Sequence, residues 1–328
     1  MTILIFGGSG FIGTRLCSRL SKVKKRFLIL DKNRSKTFPN KSVHFDVREE
    51  GKIPQFSDQD IIVNLAAEHR DDVKPTSLYY ETNVAGAENV CEIARRSNIS
   101  KIVFTSSVAV YGFPKLMVDE KGKINPFNHY GKTKHLAELT YKKWQLENPS
   151  QRSLVIIRPT VVFGEKNRGN VFNLFKQVAS GKFAMIGNGQ NRKSMAYVEN
   201  VASFIEFSLK SKPGIFIYNY VDKPDLTMES LVDLIEAILG KSRKFKVNIP
   251  YFLGLVVGYV FDFFAFILRK KLTISSIRIK KFCSNSAYTS CVSNSGFSPP
   301  VPLSKAIKKT IDYEFKNRKK SSEVFYTE

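Results

Sequence analysis

Three residues carry the reactive chemistry of this sequence. Tyr130 and Lys134 stand four apart in Tyr130-Gly131-Lys132-Thr133-Lys134, and on a helix that spacing puts both on one face. A tyrosine hydroxyl titrates near ~10, too high for a base at neutral pH. An ammonium beside it, with the positive charge of an oxidised nicotinamide, favours the phenolate and brings it toward working range. Lys134 can also hold the ribose of such a cofactor. Ser107 closes Phe104-Thr105-Ser106-Ser107, where a strand would deliver a hydroxyl to the C-terminal edge of a sheet. That hydroxyl can hydrogen-bond an oxygen passing between alcohol and ketone. Together they imply hydride removal from an alcohol carbon. The Tyr and Lys spacing also occurs on ordinary helix faces, so the elements around the three residues decide its weight.

Those elements alternate. Apolar, β-branched runs fall at Ile3–Phe6, Phe27–Leu30, Val43–Phe45, Ile61–Leu65, Ile102–Phe104 and Leu154–Ile157. Helical spacing fills Gly13 to Lys22, where Leu16 and Leu20 share a face, and Asn83 to Arg96. Short apolar strands alternating with helices predict an α/β fold, a Rossmann-like doubly wound parallel sheet covered on both faces. A smaller C-terminal α+β substrate domain would follow. The expected division is 1–165 for the dinucleotide, with return segments near 190–220, and 166–328 mainly for substrate.

After the first strand comes Gly7-Gly8-Ser9-Gly10-Phe11-Ile12-Gly13. Gly7, Gly10 and Gly13, at spacing three, let the chain turn tightly and let backbone N–H groups, including those of Phe11 and Ile12, approach a pyrophosphate. The helix that follows points its positive N-terminus at the phosphates. A tight turn is the plain alternative. Asp31, at the end of the second strand, can accept hydrogen bonds from both ribose hydroxyls and would repel a 2′-phosphate, which favours NAD over NADP. Lys32 and Arg34 work against that preference. Asp46 and Val47, after the third strand, are placed to close over the adenine.

The net charge is +23, and residues 241–320 hold 17 Lys and Arg against Asp262, Asp312 and Glu314. Such a surface suits anionic lipid or a phosphorylated substrate. Nucleic acid is not expected, because no binding motif and no interleaved aromatic pattern accompanies the charge. Cys17, Cys91, Cys283 and Cys291 form no CxxC pair, so neither a disulfide framework nor a metal site is expected. The sequence opens on a strand pattern without a secretory signal, which places the protein in the cytoplasm or on the cytoplasmic face of the inner membrane, peripheral or monotopic.

With these residues assembled, the sequence resembles the extended short-chain dehydrogenase/reductase family of sugar-nucleotide epimerases and dehydratases. The likeness runs through Gly7–Gly13, Asn64-Leu65-Ala66-Ala67, Asn83-Val84, Ser106-Ser107 to Val110-Tyr111-Gly112, Tyr130–Lys134, Arg158-Pro159-Thr160 and Tyr197-Val198-Glu199-Asn200-Val201-Ala202. It implies Ser107, not Ser106, as the catalytic hydroxyl. It also implies Asn83 on the cofactor side of the site, and Leu65, Ala66, Ala67 and Pro159 along the dinucleotide. The family's dehydratases carry an Asp-Glu pair directly after the catalytic hydroxyl; Val108 and Ala109 stand there instead, which excludes water elimination. Epimerisation or plain oxidoreduction remains.

Other stretches resemble the branch that epimerises N-acetylglucosamine at C4 while the sugar rides on undecaprenyl diphosphate, for O-antigen or related glycans. These are Leu65 to Asp72, Pro126 to His129, Gly164 to Val171 and Tyr218 to Asp225. A UDP-linked amino sugar is the alternative substrate, and a net 4-keto-sugar reductase the alternative reaction. Candidate substrate contacts are Ser107, Asn173, Ser284 as the small residue beside an N-acetyl group, and Arg168, Arg192 and Lys193 for the diphosphate. Ile249 to Leu268 is a 20-residue apolar run whose one charged residue is Asp262, followed by Arg269-Lys270-Lys271. It reads as a membrane-surface element with basic anchors, with a buried or interface helix and a transmembrane span as the alternatives. A second copy of the chain, in a homodimer, is a further candidate partner.

Overall fold

The computed structural model describes residues 1–49, 56–70, 73–113, 117–241, 248–268, 275–316 and 323–327. The first part runs β1 (Ile3–Phe6), α1 (Phe11–Lys22), β2 (Phe27–Asp31), β3 (Ser42–His44), β4 (Ile61–Asn64), α2 (Ser77–Tyr80), α3 (Gly86–Arg96), β5 (Lys101–Thr105), α4 (His129–Leu146) and β6 (Ser153–Pro159). The remainder adds β7 (Val161–Phe163), α5 (Asn170–Ala179), β8 (Met185–Ile186), β9 (Arg192–Tyr197), α6 (Val198–Ser208), β10 (Gly214–Tyr220), β11 (Asp222–Thr227) and α7 (Met228–Leu239). It ends with β12 (Asn248–Ile249), α8 (Tyr251–Ile267), α9 (Ser276–Cys283) and α10 (Leu303–Ile311).

Seven strands form one sheet in the order β10-β6-β5-β4-β1-β2-β3, every neighbouring pair parallel. All residues of β1 and β4 are buried, as expected of strands covered on both faces. Leu16, Cys17 and Leu20 of α1 and Ala202 and Ile205 of α6 pack with Ile3, Ile5 and Val103 on one face. Val90 and Ile93 of α3 and Tyr141 and Trp144 of α4 pack with Leu4, Ile62 and Ile102 on the other.

The strand order reverses beside β1, which opens a crevice at the strands' carboxyl ends. There Phe6 lies opposite Leu30 and Asn64, and Asn64 opposite Phe104. Gly7, Asp31, Leu65 and the Ser106-Ser107 pair therefore emerge along one edge. Between α2 and α3 the helix runs on through a π-helical turn over Glu81–Ala85, so the helical stretch expected from Asn83 to Arg96 is helical throughout.

A smaller sheet, β11-β9-β7, stands beyond this edge, with β8 and β12 paired separately. Phe163, Phe175, Met195, Leu231, Ile235 and Ile307 form its core. β10, which no strand expectation covered, returns to the main sheet beside β6.

The apolar run becomes α8, and its packing is unusual. Of its residues only Gly254 and Gly258 are buried, while Phe252, Phe263 and Phe266 are 64%, 61% and 82% exposed. A Cβ at Gly258 would lie 2.8 Å from the Ser276 Cα, and one at Gly254 2.7 Å from Ile186. Asp262, the next residue at this spacing, accepts the Ser276 N–H at 3.1 Å. α8 thus rests on α9 along one line, and the acid that interrupts the run holds the start of α9. This exposure speaks against the alternative of a helix buried within the chain. No helix among the described residues is long and apolar enough to cross a membrane. Arg269, Lys270 and Lys271, the expected anchors, lie outside the described residues.

Candidate active site

Ser107 leaves β5 in extended backbone, and its Oγ accepts the Ala109 N–H at 3.1 Å. A hydroxyl that accepts in this way still has its proton to donate. The next turn meets α4 closely: a Cβ at Gly131 would lie 2.4 Å from the Ala109 carbonyl oxygen. Glycine at 131 therefore brings the start of α4 to the strand end that carries Ser107. Asn128 caps α4 by accepting the Gly131 N–H at 2.9 Å.

Lys134 is buried, its Nζ 4.4 Å from the centre of the Phe104 ring. Burial pushes its ammonium down to about 7, opposed by the charge of Glu138 one turn along. Glu138 is itself fully buried and accepts from Ser106 Oγ at 2.6 Å and from Arg158 Nε and Nη2 at 2.8 and 2.6 Å. Burial works to raise its carboxyl, but the Arg158 and Ser106 donors outweigh this and hold it well below the usual range. Arg158 Nη1 goes on to Tyr111 Oη at 2.6 Å, and Tyr111 donates to Asn219 at 2.8 Å. A continuous buried network thus ties the reactive helix to β5, β6 and β10.

Tyr130 lines a cavity of about 260 Å³ with His69, Ala109, Phe127, Asn170, Lys281 and Thr327 among its walls. Of these, sequence reasoning named only Tyr130 as a site residue. His69 follows the expected Leu65–Ala67 stretch and could have been found there. Lys281 and Thr327 come from far along the chain, and no local pattern marks them.

The edge of the sheet fits a dinucleotide. Gly7 has φ +74°, and a Cβ there would lie 2.5 Å from the Ala66 nitrogen. One at Gly13 would lie 2.5 Å from the Gly8 oxygen, so α1 sits as close to the sheet as its sequence requires. α1 has no side-chain cap, which leaves the first N–H groups, at Phe11 and Ile12, for an anion. Asp31 accepts the Ser9 N–H at 3.0 Å and the Asn33 N–H at 2.9 Å, beside the glycine loop. Leu65 and Ala66 follow β4, and Pro159 ends β6 on the same side.

Several expected contacts are placed otherwise. Asp46 pairs its carboxylate with Arg48, with Nη2 at 2.6 Å, and Val47 is buried against Gly86. Asn83 is a brace, joined to the Glu68 backbone at 2.9 and 3.0 Å and to Thr133 Oγ1 at 2.9 Å. Asn173 is exposed, and Asn170 at the start of α5 takes the cavity wall in its place. Arg168 pairs with the buried Glu314 at 3.0 Å. Lys193 donates to the carbonyls of Lys281 and Ser284 at 2.9 and 2.7 Å, at the end of α9. Arg192 stays exposed, with Nη1 3.2 Å from the Asp225 carbonyl. Ser284 lines a second cavity of about 810 Å³, with Tyr251, Lys280 and Cys283, and not the one beside Tyr130. Among the described residues no group of His, Cys, Asp and Glu could hold a metal ion.

Known proteins share this architecture and this sequence. The N-acetyl-alpha-D-glucosaminyl-diphospho-ditrans,octacis-undecaprenol 4-epimerase of Escherichia coli O157:H7 is 47% identical over 99% of both chains. A putative UDP-glucose 4-epimerase of Methanocaldococcus jannaschii is 30% identical over 73% of this chain and 82% of its own. Among solved structures, the UDP-N-acetylglucosamine 4-epimerase of Bacillus cereus superposes with a TM-score of 0.74 at 19% identity, covering 94% and 98% of the two chains. The UDP-glucose 4-epimerase of Thermotoga maritima gives 0.74 at 18% identity over 97% and 100%; both establish the fold. The model of the NAD dependent epimerase/dehydratase family matches residues 3–219, and the chain belongs to that family.

Proposed function

We propose that this enzyme interconverts N-acetylglucosamine and N-acetylgalactosamine at C4 while the sugar is carried on undecaprenyl diphosphate. NAD, the cofactor of its family, supplies when bound the acceptor for the C4 hydride and its donor once the sugar has turned. Tyr130 as phenolate takes the proton of the C4 hydroxyl and returns it at the end. Ser107 donates to the same oxygen while it is a carbonyl. Lys134 favours the phenolate and holds the cofactor ribose. Val108 and Ala109, the residues after Ser107, have nothing to give or take in an elimination, which keeps the chemistry to oxidation and re-reduction. Residues 1–165 hold the cofactor in this reading, and 166–328 mainly the sugar and its carrier.

The lipid carrier rests chiefly on one observation. α8 exposes its aromatic and aliphatic side chains and leans on α9, and α9 also carries Lys281 to the cavity wall of Tyr130. An apolar helix above a basic one suits a membrane surface whose headgroups are anionic. With Arg278 and Lys280 exposed on α9, we assign α8 to the acyl layer rather than to a second copy of the chain. Lys281 would then meet the diphosphate. The protein works at the cytoplasmic face of the inner membrane on this reading. The test offers the purified protein the undecaprenyl-diphosphate-linked sugar and UDP-N-acetylglucosamine separately. The lipid-linked sugar should be epimerised; conversion of UDP-N-acetylglucosamine alone would overturn the carrier.

A further inference from the structure

The segment 323–327 lies far from the reactive residues in sequence, yet it contacts Thr37 after β2, Phe11 at the start of α1 and the Tyr130 cavity, three points along the proposed dinucleotide cleft. Near the adenosine end, Glu323 Oε2 accepts from Thr37 Oγ1 at 3.0 Å, six residues after Asp31. At the pyrophosphate loop, the Phe325 ring lies 5.6 Å from that of Phe11, the first residue of α1. At the nicotinamide end, Thr327 lines the Tyr130 cavity. Four residue steps of extended chain reach about 13 Å, the scale of the dinucleotide's own backbone, and the stations come in the same order.

The segment is held along its other side by the loop between β7 and α5. Phe325 donates its N–H to the Lys166 carbonyl at 2.8 Å and accepts the Arg168 N–H at 2.8 Å. Thr327 Oγ1 donates to Asn167 Oδ1 at 2.8 Å. At Gly169 a Cβ would lie 2.4 Å from Thr327 Oγ1, so the glycine admits the segment. The loop is itself fixed: Glu314 accepts the Lys166 N–H at 2.7 Å and pairs with Arg168 at 3.0 Å, and Arg15 of α1 donates to the Glu165 carbonyl at 2.9 Å. Arg168, expected at a diphosphate, is thus part of a clasp for this segment.

We propose that residues 323–327 are a strap laid along the dinucleotide cleft, closing over bound NAD and holding it in the site. An enzyme that oxidises and re-reduces one sugar gains from this, because loss of the reduced cofactor between the two halves would strand the keto sugar. The inference rests on the dinucleotide lying along Gly7–Gly13 and does not depend on the sugar's carrier.

The test is made on the full chain without sugar. Glu323→Ala/Phe325→Ala/Thr327→Ala and the parent are loaded with NAD and passed through a desalting column. Bound NAD per chain is then counted, and NADH release is followed by its fluorescence. The parent should keep its cofactor, and the triple variant should lose it roughly tenfold faster or more, as expected for a few lost contacts. Circular dichroism and melting of both apo proteins check the fold. If the triple variant folds poorly, Glu323→Ala alone removes an exposed contact and should still speed release. Retention equal to the parent's in a folded variant overturns the strap, as does a parent that empties on the column. Either result leaves the substrate assignment standing, since no sugar is present.

Discussion

At the scale of single residues, two kinds of group share the site. Ser107, Tyr130 and Lys134, the proposed reactive residues, stand out in the sequence because the chemistry assigned to them demands a residue type at a spacing, which a strand end or a helical turn supplies. The cations were harder. Arg168, Arg192 and Lys193 looked alike in sequence, because a side chain's charge is visible there and its partner is not. Glu314 stands 146 residues from Arg168 and pairs with it, while Lys193 is spent on two carbonyls. Glu138 was missed for the same reason: its meaning comes from Arg158 and Ser106. Its carboxyl is held below its ordinary value, so its contribution to stability is fully present above the unfolded carboxyl range near ~4.3. That contribution is lost as pH falls through the depressed folded value. Glu138→Gln leaves the Arg158 charge buried without its partner and should cost about 3–5 kcal/mol at pH 7. It should also flatten the acid limb of stability, read by urea unfolding between pH 5 and pH 2.

At the scale of elements, the sheet was readable and the C-terminal part was not. β1, β4 and β5 are short, apolar and preceded or followed by helical spacing, so pattern and burial agree. β9, β10 and β11 mix Arg, Lys, Asn and Asp with apolar residues, and their pairing partners are set by the fold rather than by alternation. α8 was visible as an apolar run, but what it rests on was not. Gly254 and Gly258 are the line by which it packs on Ile186 and α9. Gly258→Leu should drive the two helices apart, since a Cβ alone would lie 2.8 Å from Ser276. Because α9 carries Lys281, the variant should raise the KM for the lipid-linked sugar more than it lowers kcat. Steady-state kinetics in detergent micelles separate the two.

At the scale of the molecule, a net charge of +23 accompanies an exposed apolar helix, and the proposed membrane contact would use both. Phe263→Asp/Phe266→Asp places two charges on the most exposed part of α8 and should release the protein from anionic vesicles in a flotation assay. The parent should float with them, less so in high salt, where headgroup attraction is screened. Charge asymmetry and the apolar run could both be read from the sequence, whereas the joining of exposed apolar helix, α9 and the Tyr130 cavity needed the fold. The central claim is that one sugar carbon gives up its hydride and takes it back inside a closed site. Its most direct test uses lipid-linked N-acetylglucosamine deuterated at C4, with enzyme and no added cofactor. The account predicts N-acetylgalactosamine that still carries the deuterium at C4. Loss of the label to water, or its appearance in NADH free in solution, would contradict it.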